Sequence, residues 1–180
     1  MMNQELIDYT HQELIQHKQQ IVADYVNSRQ ASMFFKRYGQ ELDRCLGILW
    51  QEMFVNRRMC LLAIGGYGRQ EMYPHSDLDL AIVCAESLSN EDEHDIARFV
   101  QILWDIGLAP AAKIGSTEQL LQAARDDLTS DTAFLEARFV CGNHKLAHEF
   151  VADLNLQRDV AGFVEGKLLE QSQRHYKARG

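Results

Sequence analysis

The chain has 180 residues, of which 46% are hydrophobic and 24% are charged, as in an ordinary globular protein. Its 18 basic and 26 acidic residues give a net charge of −8, which argues against general binding to nucleic acid or to an anionic membrane. No apolar stretch approaches the ~20 residues needed to cross a bilayer, and the N-terminus lacks an apolar signal region. We therefore expect a cytoplasmic protein with no membrane and no nucleic-acid partner.

Residues 1–56 are predicted to form a helical segment. Apolar residues recur every three or four positions, first at Leu14, Ile21 and Tyr25 and then from Phe35 to Met53. The polar stretch 28–32 is expected to separate two helices. Apolar residues repeated along one face of a helix indicate a packing surface rather than a cofactor site.

Residues 57–118 are predicted to form the central core. The apolar run 59–64 is typical of a strand buried on both faces, and Gly65-Gly66 ends it in a tight turn. A second turn, at residues 74–76, precedes a further strand-like run at 77–84.

Beyond these two strands the chain is predicted to continue with a helix, a third strand and further helices. Ser89 and the acidic residues after it favour the start of a helix, which Gly107 is expected to end. A third strand is predicted at 108–115, and another helix opens at Ser116. Residues 119–180 are predicted to be a helical segment, with two or three helices filling 130–178. The fold class is therefore α+β, with a small mixed sheet between flanking helices.

Two carboxylates mark the start of the second strand. Asp77 and Asp79 are two residues apart, so they are expected to lie on one face, opposite Leu78 and Leu80. Neighbouring carboxylates repel each other, and a divalent cation such as Mg²⁺ removes that conflict. From these residues alone, a metal site and a pair of hydrated surface acids remain equally open.

Gly65-Gly66 adds a second feature, since two glycines let the backbone approach a phosphate closely. The sequence completes neither a Walker loop nor a dinucleotide-binding fingerprint. An apolar strand, Gly-Gly and then Asp-apolar-Asp-apolar resembles the signature of the DNA polymerase β-like nucleotidyltransferase superfamily. That resemblance implies a polymerase-β-like core.

A closer resemblance extends along most of the chain. Residues 65–80, GGYGRQEMYPHSDLDL, are similar to the nucleotidyltransferase motif of the bacterial PII-protein uridylyltransferase/uridylyl-removing enzymes. The likeness continues at residues 103–108 (LWDIGL), 124–129 (ARDDLT), 134–139 (FLEARF) and 174–176 (RHY). Proteins of that family are several times longer, so the chain is expected to be either their N-terminal nucleotidyltransferase domain or a reduced stand-alone relative.

The family resemblance implies a reaction and its residues. Gly65 and Gly66 would cradle the triphosphate of UTP, and Asp77 and Asp79 would ligate Mg²⁺ as the catalytic residues. UMP would pass from UTP to a tyrosine of the PII nitrogen-signalling protein, with release of pyrophosphate. The cofactor is therefore expected to be magnesium, and the partners UTP, or another nucleoside triphosphate, and PII.

Two further residues in the motif have open roles. Arg69 is expected to lie near the phosphates or to pair with Glu71. Ser76 is expected to donate to a phosphate or to cap the turn before the strand.

The sequence departs from the family pattern at two places. Gln70 stands where the family usually has a further glycine, and the predicted strand 108–115 lacks the third carboxylate of many superfamily members. Two alternatives therefore stay open: a non-catalytic nucleotide-binding or regulatory module, and an adenylyltransferase or antitoxin-type nucleotidyltransferase. The base specificity has no recognisable signal.

Cysteine and histidine patterns predict no additional metal site. Cys45, Cys60, Cys84 and Cys141 lack zinc-type spacing and lie in apolar runs, so they are expected to be buried free thiols. His94, and the pair His144 and His148, are expected to lie on solvated helix faces.

Overall fold

The first segment is a pair of long helices. The structure, a computed structural model, describes residues 4–55, 57–158, 162 and 164–171. Helix α1 spans Gln4–Ser28 and helix α2 spans Ala31–Met53, and the predicted break lies at Arg29, whose φ is +58°. Leu14 and Ile21 of α1 are buried with the apolar face of α2, as their spacing predicts.

A four-stranded mixed sheet forms the centre of the molecule. Its strands are β1 (Met59–Ala63), β2 (Leu78–Cys84), β3 (Pro110–Ser116) and β4 (Arg138–Gly142). The order across the sheet is β3-β2-β1-β4, with β1 antiparallel to β2 and β4, and β2 parallel to β3. This confirms the predicted α+β fold with a small mixed sheet.

Helices precede, connect and follow the strands. They are α3 (Gly65–Gly68), α4 (Asn90–Asp105), α5 (Thr117–Asp126), α6 (Leu128–Phe134) and α7 (His144–Gln157), and residues 164–171 are also helical. Capping boxes at Ser89 and Ser116 begin α4 and α5, at the positions that the sequence predicts.

The sheet divides the core into two layers. Side chains of one face, including Leu61, Leu80 and Ile82, pack with α2 and α4. Those of the other face, including Leu62 and Val83, pack with α5, α6 and α7. Strands covered on both faces are continuously apolar, which explains the hydrophobic run of β1 and that of β2 after Asp79.

The prediction of helices alone over residues 130–178 is wrong at β4. The segment Arg138–Gly142 pairs with β1, with a shift of register between Leu61 and Leu62. The residues of β4 are partly exposed, because β4 is an edge strand. Its sequence therefore lacks the continuous apolar run that would have predicted a buried strand. Residues 174–176, which extend the family resemblance, lie outside the described residues.

The structure also differs from the prediction in where some strands and helices begin or end. Strand β2 begins at Leu78, so Asp77 immediately precedes it, and β3 begins at Pro110, where the missing N–H costs little. The helix that opens at Ser116 ends at Asp126, and a separate short helix, α6, begins at Leu128. No helix in the described ranges combines the length and apolarity needed to span a membrane.

The cysteines are free, as predicted, and burial alters their chemistry. Cys45, Cys60 and Cys84 are buried and Cys141 is partly buried. Burial raises the pKa of Cys45, Cys60 and Cys141 to about 12 and that of Cys84 to about 11.

Because the thiolate is the reactive form, these four thiols should resist a thiol reagent in the native protein. We expect dithionitrobenzoate at pH 8 to react far more slowly with the folded chain than with the chain unfolded in guanidinium. Unfolded protein should release four equivalents, one for each cysteine. Rapid stoichiometric release from the folded chain would contradict the described burial.

Candidate functional site

The glycine turn and the second carboxylate meet because β1 and β2 are antiparallel. Ala63 at the end of β1 pairs with Leu80, and the N–H of Ile64 donates to the carbonyl oxygen of Asp79 at 3.1 Å. Gly65 then turns with φ of +54°, a conformation that side chains rarely adopt. A Cβ atom there would lie 2.8 Å from Oδ2 of Asp79, so both the backbone and the carboxylate require glycine.

Asp79 is a half-buried carboxylate with opposing electrostatic influences. Burial raises its pKa, as does the negative charge of Asp77. A hydrogen bond from the backbone N–H of Gly66 and the positive charges of Arg69 and Lys113 act in the opposite direction but do not cancel this effect. The ionised carboxylate is therefore held at an electrostatic cost.

The two carboxylates suit a magnesium ion better than a metal that requires a complete protein cage. Among the described residues, no group of three or more potential protein ligands is brought together. Asp77 is exposed and Asp79 half-buried, so both have access to solvent and to a ligand. Mg²⁺ commonly takes one or two carboxylates and completes its shell with phosphate oxygens and water. The donor set thus fits Mg²⁺ bound together with a polyphosphate.

Arg69 and Ser76 make the contacts that the sequence left open. Arg69 Nε donates to Oε2 of Glu71 at 2.9 Å, and its guanidinium also lies beside Gly66. Ser76 Oγ accepts from the backbone N–H of Tyr73 at 3.3 Å and so closes the turn before β2. The Glu71 pair and the turn cap are therefore both formed, and both residues border the site.

A polar cluster around the buried Tyr67 supports the glycine turn. The Tyr67 hydroxyl donates to Asp43 Oδ1, and Arg138 donates to both oxygens of Asp43, at 2.7 and 3.1 Å. The Arg138 guanidinium also lies 5.2 Å from the centroid of the Tyr67 ring. Burial, with the nearby Asp43 charge, raises the pKa of Tyr67 well above its usual range, so the phenol remains a donor. We call Asp43, Tyr67 and Arg138 the Asp43 cluster; it joins α2, α3 and β4.

Gly68 brings the turn against the segment before β4. A Cβ atom at Gly68 would lie 2.0 Å from the carbonyl oxygen of Glu136, so no side chain fits there. The turn is consequently held from two sides, by the Asp43 cluster and by the backbone at Glu136.

Strand β3 carries a lysine and no acid. The sequence of Pro110–Ser116 is PAAKIGS, so the strand beside the carboxylates lacks a third acid, as expected. Lys113 pairs in register with Ala81 and donates to Ser130 Oγ at 3.0 Å. The site therefore combines two carboxylates with one half-buried ammonium.

Sequence reasoning missed Asp43, Lys113 and Arg138 as residues that surround or support the site. Arg138 lies in a stretch that carries the family resemblance, but nothing in its spacing indicated a contact with the turn. Asp43 and Lys113 are single charges within helical and strand patterns, and they gave no local signal. Their importance follows from tertiary packing.

One cavity lies apart from the carboxylate pair, and its lining includes neither Asp77 nor Asp79. This cavity, of about 460 Å³, lies between α5, α6 and α7, bordered by an ion pair between Arg158 and Asp131 at 3.0 Å. His94, His144 and His148 are exposed, as expected, and none of them joins a metal-binding group within the described part of the chain.

Comparisons with known proteins place this geometry in a family. Residues 12–114 match the family described as "Putative nucleotidyltransferase DUF294". A bifunctional uridylyltransferase/uridylyl-removing enzyme of Neisseria gonorrhoeae is 48% identical over 158 residues, which cover 88% of this chain and 18% of that protein. The enzyme of the same name from Chromobacterium violaceum is 35% identical, covering 97% of this chain and 20% of that protein. The chain thus spans about a fifth of the length of these curated relatives.

Two solved structures match this chain at much lower sequence identity. A toxin–antitoxin complex with AMP-PNP matches at a TM-score of 0.39 and 10% identity, covering 73% of this chain and 94% of that one. A mutant of the MntA-HpeT toxin–antitoxin matches at a TM-score of 0.40 and 10% identity, covering 79% and 98%.

The raised pKa of Asp79 leads to a pH-dependent prediction. A carboxylate whose pKa is higher in the folded state opposes folding above that pKa and ceases to do so once pH falls below the unfolded value. Without metal at pH 7, Asp79→Asn should therefore keep or raise the melting temperature, because the amide oxygen can still accept from Gly66. The advantage over the wild type should shrink toward pH 4.

Calorimetry with EDTA and with excess Mg²⁺ tests this expectation. Mg²⁺ should raise the melting temperature of the wild type but not that of Asp79→Asn. The matched control is Asp8→Asn, on the exposed side of α1, which should respond to Mg²⁺ as the wild type does. An Asp79→Asn protein that melts lower at pH 7 without metal would contradict the electrostatic argument.

The Asp43 cluster should contribute measurably to stability. Arg138→Met leaves Asp43 partly buried with two hydrogen bonds fewer, so we expect a loss of about 1–3 kcal/mol in the free energy of unfolding. Urea denaturation provides the measurement. Arg58→Met, which breaks an exposed pair with Glu86, should change that free energy by less than about 0.5 kcal/mol. Equal effects of the two substitutions would show that the cluster has no special role.

Proposed function

The chain belongs to the DUF294 nucleotidyltransferase family, and on that premise we propose that it transfers UMP from UTP to a tyrosine of a PII-type signalling protein. The activity of the curated relatives, as their names state it, includes uridylyl transfer. The Gly65-Gly66 turn and the Asp77 and Asp79 pair are the proposed nucleotide and metal sites of this reaction.

The observation that carries the proposal is the close approach of the turn to Asp79. Gly65 leaves no room for a side chain, and the N–H of Gly66 is directed at the carboxylate. A backbone donor, two carboxylates and the Arg69 guanidinium are therefore grouped at one end of β2. That grouping suits a metal-bound triphosphate, whose oxygens need both donors and a cation.

The proposed reaction is in-line displacement at the α-phosphorus of UTP. The tyrosine hydroxyl releases its proton to solvent as its oxygen forms a new bond to the α-phosphorus. The bond from that phosphorus to the oxygen bridging to the β-phosphate breaks, and pyrophosphate leaves. Gly65 and Gly66 would hold the phosphates close to the backbone, and Arg69 would balance their charge from the rim. When bound, Mg²⁺ supplies charge neutralisation at the reacting phosphate. Asp77 and Asp79 would hold that ion, so orientation accounts for most of what the chain contributes.

One observation favours a second candidate, a nucleotide-binding module without transfer. Strand β3 supplies no carboxylate beside Asp79, so no acid from this strand is available to accept the proton of the attacking hydroxyl. Such a module would bind the metal–nucleotide complex through the same glycine turn and carboxylates. The two candidates therefore share a site and differ in turnover.

Transfer of label from α-labelled UTP to purified PII in the presence of Mg²⁺ tests the proposal. We expect labelled PII with the wild-type chain, and a loss of at least about 100-fold with Asp77→Asn or Asp79→Asn, because each removes a charged ligand of the metal. Asp8→Asn and His94→Ala are the matched controls and should transfer at the wild-type rate.

Each outcome separates the candidates. Nucleotide binding without label transfer supports the binding module and overturns the transferase proposal for this chain. Label from ATP in place of UTP would identify adenylyl transfer. Full activity in both aspartate variants would show that the metal site is elsewhere.

A further inference from the structure

The strand that lacks an acid carries Lys113, whose position is fixed by the sheet. Lys113 lies opposite Ala81 in the parallel β2–β3 pair. Partners in a ladder point to the same face, and residues two apart along a strand share it, so Lys113 and Asp79 lie on one face. Ala112, the next residue, packs in the opposite layer with Leu80, which confirms this alternation.

The Lys113 ammonium is anchored by one hydrogen bond. Its Nζ donates to Ser130 Oγ at 3.0 Å, and Ser130 Oγ donates in turn to Asp127 Oδ2 at 2.7 Å. Ser130 is only 5% exposed, so the anchor is a buried hydroxyl rather than a mobile surface group. An ammonium has three donors, and this contact uses one of them.

No carboxylate in the described residues neutralises Lys113 by direct contact. Its positive charge acts on carboxylates at longer range, where it favours the ionised forms of Asp79 and Asp127. Asp127 is already satisfied by the N–H groups of Thr129 and Ser130 and by the Ser130 hydroxyl. Asp127 therefore does not depend on a direct contact with Lys113, and the ammonium lies on the same face of the sheet as Asp79.

We propose that Lys113 is a polyphosphate-binding residue of the nucleotide site, contacting phosphate oxygens from the β3 side of the sheet opposite the glycine turn. The inference rests on the proposed function, because it takes the ligand of the site to be a nucleoside triphosphate. A lysine is a compact point charge that binds phosphate oxygens well. With the Gly65-Gly66 turn on one side and Lys113 on the other, the polyphosphate lies between two sets of donors. Strand β3 thus contributes a positively charged ammonium to the site. A carboxylate on the same strand would instead favour an additional metal ion.

The charge arrangement makes an unusual prediction about the metal alone. Lys113 repels a cation placed at Asp77 and Asp79, but it attracts a polyphosphate bound to that cation. Replacing Lys113 with methionine, which has similar length and no charge, should therefore leave binding of free metal unchanged or tighter. The same substitution should weaken binding of the metal–polyphosphate complex. A purely structural role of Lys113 predicts weaker binding of both.

The experiment compares the full chain with Lys113→Met and Lys113→Arg. Calorimetric titration measures the affinity for Mg·UTP and for Mg·tripolyphosphate, and the paramagnetic resonance signal of free Mn²⁺ measures binding of metal alone. Lys113→Met should bind both phosphate ligands about 10- to 100-fold more weakly, the effect of one lost charge-assisted hydrogen bond. Lys113→Arg should recover much of that affinity. The control Lys145→Met, at an exposed position on α7, should match the wild type in every titration.

The outcomes distinguish this inference from the proposed transfer. Equal affinity of the wild type and Lys113→Met for both phosphate ligands overturns the inference, as does a parallel loss of Mn²⁺ binding and melting temperature. A wild-type chain that binds no Mg·tripolyphosphate also overturns it. The expected pattern in a chain that fails to label PII would support Lys113 as a phosphate ligand and reject the transferase proposal alone.

Discussion

The hydrogen bonds that Asp43 accepts from Tyr67 and Arg138 fix the element on which the site depends. Helix α3 has four residues, three of them glycine, so it has almost no internal stability of its own. Its position comes from the Asp43 cluster, which ties it to α2 and β4. Because Asp43 is shared, a displacement of either the long helix or the edge strand would move the glycine turn relative to Asp79. The candidate site is therefore supported by elements that lie far apart in the sequence, α2 before it and β4 after it.

The sheet brings opposite charges together by mixing strand directions. The antiparallel pair β1–β2 places the turn after β1 beside the beginning of β2, and the parallel pair β2–β3 brings Lys113 alongside the same strand. The face that carries Asp79 and Lys113 is covered by α5, α6 and α7 farther along β2, whereas Asp77 stays exposed at its start. The carboxylates consequently lie at the open end of an apolar layer. There, partial burial strengthens electrostatic interactions without closing the site to solvent.

Local patterns were sufficient to predict the long helices α1, α2 and α4, the start of α5 and the strands β1, β2 and β3. Periodicity located α1 and α2, the unbroken apolar runs located β1 and β2, and Ser89 and Ser116 marked helix starts that capping boxes confirm. The edge strand β4 was not predicted, because pairing with β1 rather than its own composition makes it a strand. For the same reason, the Gly-Gly and Asp-x-Asp motif was visible in the sequence while Asp43, Lys113 and Arg138 were not. Local signals identify groups that could meet a ligand, but contacts made through the fold determine which charges surround them.

The position of β4 in the chain also affects how the molecule is assembled. Strand β4 pairs with β1, yet two strands and four helices separate them in sequence. During synthesis, the outer edge of β1 stays without a partner until residues 138–142 have left the ribosome, and an unpaired edge can recruit strands from other chains. Closing this long loop carries an entropic cost that the local helices do not share, so it favours late formation. Arg138 arrives with β4, so the glycine turn acquires its support in the same late step that removes this aggregation-prone edge.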